Sequence, residues 1–299
     1  MTSPNWSIVI PTFNRQDILE TTVRAYLAQE GDIGELEIIV VDDGSTDDTP
    51  AILRRLKEEI GNRLMTFHQE NRGPAAARND AIRHSRGMYI LLAGDDVVPI
   101  PTLLLSHAQT HREHPSPMTA VLGHIAWSPS HPVTTFMKLL ESAGWQFDYG
   151  RIDDPENVSP LLFYSSNVSL HRTLLLDELF DEQFKAACWE DVDLGLRLHK
   201  RGMRLYYNRE ALGYHVHPTT YERFVTRTRR AGYFEMMLRK KHGMRSGFLS
   251  LPRAMGQAAI GILLRGVAWG AMREKGRIFM LNWYRMRGFV DYVWDRRSR

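Results

Sequence analysis

The sequence predicts a doubly wound α/β fold: a mostly parallel sheet with helices on both faces. Three observations carry that expectation. Strand-like and helix-like runs alternate four times between residues 6 and 95. The strand runs "WSIVIP", "LEIIVV" and "MYILLAG" are continuously apolar rather than alternating, the mark of strands buried on both faces. The unusual polar residues stand at the carboxyl ends of those runs: Thr12 and Asn14, Asp42 and Asp43, Gln69 and Asn71, Asp95 and Asp96. In open α/β sheets ligands bind beyond that edge.

Each element has its own local reason. "WSIVIP" is short, β-branched and closed by Pro11, so it reads as a strand. "RQDILETTVRAYLAQE" places Ile18, Val23, Tyr26 and Leu27 near helical spacing. "LEIIVVDDGSTDDTP" is a strand running into a polar turn, where Thr49 as cap and Pro50 at the first helical position begin a helix that stops at Gly61. "LMTFHQ" is the third strand, "GPAAARNDAIRHSRG" a helix ending at Gly87, and "MYILLAG" the fourth strand. Residues 100–220 are less regular. There "FYSSNVSLHRTLLLDELF" reads as strand then helix, "WEDVDLGLRLHKRG" as a helix ending at Gly202, and "MRLYYNREALGYHVHP" as one or two strands. From 221 onward the pattern is helical and basic.

A chain of 299 residues, 43% hydrophobic and 24% charged, suffices for one large domain with an appendage. Its single cysteine, Cys188, rules out an internal disulfide and suits a reducing compartment. No signal-peptide pattern opens it. The net charge of +3 hides a division: residues 223–299 hold 18 Lys and Arg against 4 Asp and Glu, +14, leaving the first 222 residues at −11. An acidic body with a basic tail points to an anionic partner for the tail, membrane surface or nucleic acid. The run "AMGQAAIGILLRGVAWGAM", 254–272, is near the minimum spanning length, but Arg265 and Gln257 interrupt it. It reads as a packed or interfacial amphipathic helix.

The strand-end acids narrow the chemistry. The turn after the first strand, "PTFNRQ", lacks the glycines of a dinucleotide fingerprint, and no P-loop is present. "GDD" also occurs in viral RNA polymerases, but the chain is short for one and its strand–helix alternation does not suit. What remains is an acidic sheet edge able to hold a hard cation, for which one or two carboxylates plus diphosphate oxygens suffice. Asp95 and Asp96 are the candidate metal ligands.

"SIVIPTFNR", "LEIIVVDDGSTDDT", "NRGPAAARNDAI", "GMYILLAGDD", "FYSSNVSLHR" and "WEDVDLGLRLHKRG" follow the order and spacing of family 2 glycosyltransferases. The resemblance covers about residues 5–220, and the six motifs in order make it specific. It implies an inverting enzyme of the GT-A fold using a nucleotide-diphosphate sugar, a UDP-sugar as the first expectation, with Mn²⁺ or Mg²⁺ as cofactor. Residue by residue, it puts the backbone of Pro11 and Thr12 beside the nucleotide and Asp43 on its base, with Asp42 holding the turn. It makes Gly73 a point of close backbone approach to the nucleotide and Arg78 a positive charge near it, a structural salt bridge being the other reading of Arg78. Asp95 matches the last acid of D-x-D, a metal ligand that also meets the donor, and Asp96 is its neighbour. Glu190 and Asp191 match the E-D motif. Asp191 is then the base that takes the acceptor proton and Glu190 orients it, with Trp189 stacking on a sugar ring or packing.

The chain departs from the family at Ala93, where the first acid of D-x-D is expected. His215 and His217 of "YHVHP" are candidates to complete the metal site, since imidazole can ligate Mn²⁺ and strand alternation puts both on one face. The organisation expected is a GT-A domain over 1–220 and a basic helical region over 221–299. The acceptor expected is a glycan or lipid-linked molecule in cell-surface polysaccharide or glycolipid synthesis. The place expected is the cytoplasm, peripheral at an anionic inner membrane face, with no nucleic acid partner. Two alternatives stay open: a non-catalytic nucleotide-sugar-binding subunit of a synthase, suggested by Ala93, and a sugar nucleotidyltransferase, which should carry a Gly-rich basic loop after the first strand.

Overall fold

In a computed structural model of the chain, residues 4–216, 219–244 and 270–297 are described. The chain divides into two compact units, one of residues 1–131 and 149–217, the other of 132–148 and 218–299. The second unit thus also takes in residues 132–148, which the sequence reading counted with the first.

The first unit is built on an eight-stranded sheet of order β3-β2-β1-β4-β7-β6-β8-β5. Strands β1 (Trp6–Thr12), β2 (Leu36–Asp42), β3 (Leu64–His68) and β4 (Tyr89–Ala93) pair in parallel. The other half is mixed. β7 (Asn167–His171) runs antiparallel to β4 and to β6 (Thr119–Trp127), and β6 pairs in parallel with β8 (Arg204–His215). β5 (Val97–Pro99) closes the edge against β8. "RLYYNREALGYH" is therefore one long strand, β6 comes from the stretch whose pattern was irregular, and β5 lies just before that stretch.

Continuous apolarity means two buried faces, as expected. In β1, Val9 enters one apolar layer, with residues of α3 (Pro74–His84), α6 (Arg172–Asp177) and α7 (Glu190–Lys200). Its neighbours Ile8 and Ile10 enter the other, with residues of α1 (Leu19–Leu27), α2 (Thr49–Ile60) and α4 (Leu103–Glu113). The α3 alanines Ala75, Ala77 and Ala81 are fully buried, as small residues allow where a helix lies close on a sheet. Between β6 and β8 the register shifts at Gly123/His124, and the Asn167 side chain bonds the carbonyls of His124 and Ala211 there.

The second unit packs α5 (Thr135–Ser142), α8 (Tyr221–Lys241) and α9 (Gly270–Arg297) around Phe136, Leu140, Tyr221, Phe224 and Leu281. No helix of the described residues is long and apolar enough to cross a membrane. Most of the run 254–272 lies outside the described residues, as does His217.

Candidate active site

Parallel pairing of β1 with β2 and β4 brings their carboxyl ends together. Asp95 and Asp96 follow β4 in a tight turn. The Gly94 amide donates to the Ser166 carbonyl (3.1 Å), and the Thr22 hydroxyl of α1 donates to the Asp95 carbonyl (3.0 Å). Both carboxylates meet Arg15, from the loop after β1: Arg15 Nε lies 3.1 Å from Asp95 Oδ1 and Nη2 lies 3.1 Å from Asp96 Oδ2. Burial and the charge of Asp96 push the Asp95 carboxyl up to about 6, with Arg15 pulling it down. His215, opposite Val97 in the β5–β8 pair, brings Nε2 to 3.7 Å from Asp96 Oδ2.

Sequence reasoning missed Arg15. A lone cation in the loop after the first strand was the only signal, and it becomes meaningful once β1 and β4 are known to be neighbours. The loop that carries it is firmly held. The Asn14 amide, at φ 53°, donates to Ser45 Oγ, and the Gln16 amide to Asp47 Oδ2. The Arg15 amide donates to Thr49 Oγ1 at 2.9 Å. Thr49 is therefore not the cap of α2: Asp48 holds that position, and the hydroxyl serves Arg15 instead.

The base-binding candidate Asp43 is buried and braced. It accepts from Gln69 Nε2 (2.7 Å) and the amides of Arg72 (2.8 Å) and Gly73 (2.9 Å), tying β2 to the loop before α3. Three donors leave one of its roughly four lone-pair positions for a ligand. Asp42 holds the turn as expected, through the Ser45 amide and His68 Nδ1. Pro11 and Thr12 end β1 at this edge, with the Thr12 carbonyl accepting from the Asp43 amide. Gly73 has φ +95°, and a Cβ there would stand 2.9 Å from the Lys185 carbonyl oxygen. The close approach seen at this glycine is to the Lys185 backbone.

The second acid pair opens α7. Glu190 is buried, with Oε1 accepting from Arg78 Nη1 at 3.0 Å. Glu190 Oε2 and Arg78 Nε make no hydrogen bond. Arg78 is itself buried, its guanidinium carbon 5.4 Å from the centre of the Phe180 ring. Of the two readings of Arg78, the salt bridge is the one the structure displays. Burial and the Asp191 charge push the Glu190 carboxyl up to about 7, and burial raises Asp191 too. Asp191 is half-buried, nearer solvent than Glu190. Its Oδ1 accepts from the Val192 amide at 2.8 Å, and Oδ2 lies 3.5 Å from the Ser165 amide. Trp189, just before the pair, has φ 72°, a left-handed conformation costly for a bulky residue and found mostly at functional sites. Asp193 is bonded to Arg197.

Adjacent residues Ser165 and Ser166 thus reach toward both acid pairs, Ser165 at Asp191 itself and Ser166 at Gly94, the residue before Asp95. Among the described residues no three His, Cys, Asp or Glu side chains converge as a ready-made metal centre. The two carboxylates of Asp95 and Asp96 are held on Arg15 at the β4 turn, with the His215 imidazole 3.7 Å from Asp96 alone. That donor set fits Mn²⁺ or Mg²⁺ bound largely through substrate phosphates.

Comparison with known proteins identifies the family. The family model "Glycosyl transferase family 2" matches residues 7–167. Validoxylamine A glucosyltransferase of Streptomyces hygroscopicus subsp. jinggangensis is 29% identical over 252 residues, covering 75% of this chain and 58% of that protein. The chain therefore spans little more than half the length of such relatives. The GalNAc(5)-diNAcBac-PP-undecaprenol beta-1,3-glucosyltransferase of Campylobacter jejuni is 35% identical over 95 residues, 31% of this chain and 30% of that one. Among solved structures, the Pyrobaculum calidifontis mannosyltransferase PcManGT, in complex with GDP-Man and Mn²⁺, matches with a TM-score of 0.67 at 20% identity, covering 98% of this chain and 88% of that one. S. aureus TarS 1–349 in complex with UDP matches at 0.56 and 19% identity, covering 96% and 89%. Those two likenesses bear on the fold alone, a mixed sheet flanked by helices of the GT-A type. With the family model matching more than half its length, over the strands that lead to Asp43 and to Asp95–Asp96, the chain belongs to glycosyltransferase family 2.

Proposed function

We propose that the chain transfers one sugar from a nucleoside-diphosphate sugar, a UDP-sugar, to an acceptor hydroxyl with inversion at the anomeric carbon. The observation that carries the reading is that adjacent residues link the turn of one acid pair to the other pair: the Ser166 carbonyl accepts from the amide of Gly94, next to Asp95–Asp96, and the Ser165 amide lies 3.5 Å from Asp191 Oδ2 at the start of α7. The half-buried Asp191 carboxylate takes the acceptor proton while the acceptor oxygen attacks and the bond to the diphosphate oxygen breaks. Glu190, buried on Arg78, holds the N-terminus of α7 and keeps a second charge near Asp191, which favours proton uptake there. Bound Mn²⁺ or Mg²⁺ would neutralise charge on the departing diphosphate, and Asp95 and Asp96, with His215 beside them, would hold it. Asp43 and the backbone of Pro11 and Thr12 would receive the nucleotide. The UDP and UDP-GlcNAc complexes of TarS support a uridine donor, and the PcManGT complex supports the metal.

A lipid-linked or growing glycan at an anionic inner membrane face is the acceptor setting. The name of the Campylobacter relative and the +14 balance of residues 223–299 support it. A panel of UDP- and GDP-sugars, read by nucleoside-diphosphate release with and without Mn²⁺, tests the proposal. Release of UDP that depends on Mn²⁺ is expected. Pyrophosphate as the released product would mark nucleotidyl transfer, and donor binding without release toward any acceptor would mark a binding subunit.

A further inference from the structure

The acid pair that would hold a divalent cation already has a cation of its own. Arg15 spans Asp95 and Asp96 with two nitrogens, each 3.1 Å from an oxygen of a different carboxylate. The contact is built rather than incidental. Asn14, Arg15 and Gln16 all bond by their amides to the segment 45–49, and in return the Thr46 amide donates to Asn14 Oδ1 and the Asp48 amide to Gln16 Oε1. A backbone pinned at both sides gives the guanidinium a short radius of travel. The acid pair is pinned too, by Thr22 on the Asp95 carbonyl and by Ser166 on Gly94. Two carboxylates adjacent in sequence and mostly buried repel one another, and Arg15 offsets that repulsion.

We infer that Arg15 is an internal counter-ion that a divalent cation must displace, and that it makes metal binding depend on the nucleoside diphosphate. The inference rests on the metal-dependent reading above. The oxygens a metal needs are the ones Arg15 uses. Metal alone must break two charge-assisted hydrogen bonds and leave the guanidinium without an anion. Metal arriving with a diphosphate offers that guanidinium a new partner at the same sheet edge, because planar guanidinium pairs with phosphate as readily as with carboxylate. The cation then takes the carboxylates and Arg15 takes the diphosphate. Such an exchange couples the two ligands and compensates for a site that has Ala93 in place of a further acid. Arg15 is a positioning residue here, for the metal rather than for the sugar.

The test is Mn²⁺ binding to the full chain, read from the electron paramagnetic resonance signal of free Mn²⁺, with Mn²⁺ alone and with added UDP. Arg15→Gln is expected to bind Mn²⁺ alone about tenfold more tightly than the unaltered chain, the scale on which neighbouring groups tune metal affinity. UDP is expected to strengthen Mn²⁺ binding less in Arg15→Gln than in the unaltered chain. Arg15→Lys, which keeps the charge and loses the fork, falls between, and it carries the test if Arg15→Gln does not fold by circular dichroism. Adding Asp96→Asn to Arg15→Gln removes the gain. If Arg15→Gln binds Mn²⁺ alone no more tightly while the unaltered chain binds it with UDP, the counter-ion role is overturned and the metal reading stands. If neither protein binds Mn²⁺ with or without UDP, the metal reading falls and this inference with it.

Discussion

Ala93 stands where the resemblance leads one to expect an acid, and its surroundings suit alanine. It is fully buried, on the face of β4 that joins Leu91 and residues of α1 and α4 in one apolar layer. A carboxylate at that position would lose its hydration with no cation beside it. Ala93→Asp is therefore expected to destabilise the protein by about 3 kcal/mol, read from urea unfolding, without tightening Mn²⁺ binding. The second residue-scale prediction concerns the pair on α7. Glu190 is pushed up to about 7 by burial and by Asp191, and burial raises Asp191 as well. A general base works only when deprotonated, so kcat/KM should fall on an acid limb that lies above the ordinary carboxylate range, because burial raises Asp191, and level off at higher pH. Arg78 favours the charged form of both carboxylates. Arg78→Gln should move that limb to higher pH, and a limb that stays in place would separate Arg78 from the titrating pair. The base candidates were legible because two acids open a helix pattern with caps and period intact. Arg15 was not, because nothing in a linear sequence says which strand lies beside which.

Between elements, two contacts make sharp demands. His107 and His111 of α4 reach Asn167 and Ser169 of β7: His107 Nε2 meets Asn167 Oδ1 at 2.9 Å, and His111 Nε2 meets Ser169 Oγ at 2.9 Å. Burial pushes His107 down to about 4 and His111 down to about 3. The unfolded chain, with His near 6.5, then binds protons that the folded chain refuses. The stability these groups contribute is whole above pH 6.5 and is lost as pH falls toward 4 and then 3, by about 1.4 kcal/mol per pH unit for each. Urea midpoints between pH 7.5 and 5 should show this slope, and His111→Gln should flatten it by about one proton. The second demand is in α8 and α9. A Cβ on Gly232 would stand 1.9 Å from the Arg285 carbonyl oxygen, and one on Gly288 would stand 2.0 Å from that of Arg229. The two backbones touch, so Gly232→Ala or Gly288→Ala should cost about 3 kcal/mol by forcing the helices apart. Helical character here was legible from periodicity; that each of these glycines lies against the backbone of the other helix was not.

Across the whole molecule, charge and fold divide the chain in nearly the same place. The basic residues from 223 onward belong to the second unit, whose groove between α8 and α9 is lined by Arg230, Arg287, Phe234, Val290 and Trp294 and by Arg229, Asp291 and Asp295, with Arg229 paired to Asp291 at 2.7 Å. Trp294 is 72% exposed and Val290 52%. Arginines with exposed apolar side chains suit the surface of an anionic bilayer. The chain is expected to float with vesicles containing anionic lipid and not with neutral ones, and Trp294→Ser with Val290→Ser should weaken flotation. Absence of flotation with either vesicle would remove the membrane setting from the proposal. The parallel half of the sheet was legible because each of its strands is a short apolar run followed by a helix. The antiparallel half was obscured by Pro-rich turns, and residues 132–148 join the second unit through Phe136 and Leu140, two apolar residues in a stretch otherwise read as irregular. In the proposed sugar transfer Asp191, held at the start of α7 beside the buried Glu190, is the base. Turnover and donor affinity of Asp191→Asn, measured on the same preparation, decide that role. A loss of turnover of about a thousandfold with the UDP-sugar dissociation constant unchanged is expected, and turnover equal to that of the unaltered enzyme would take the role away from Asp191.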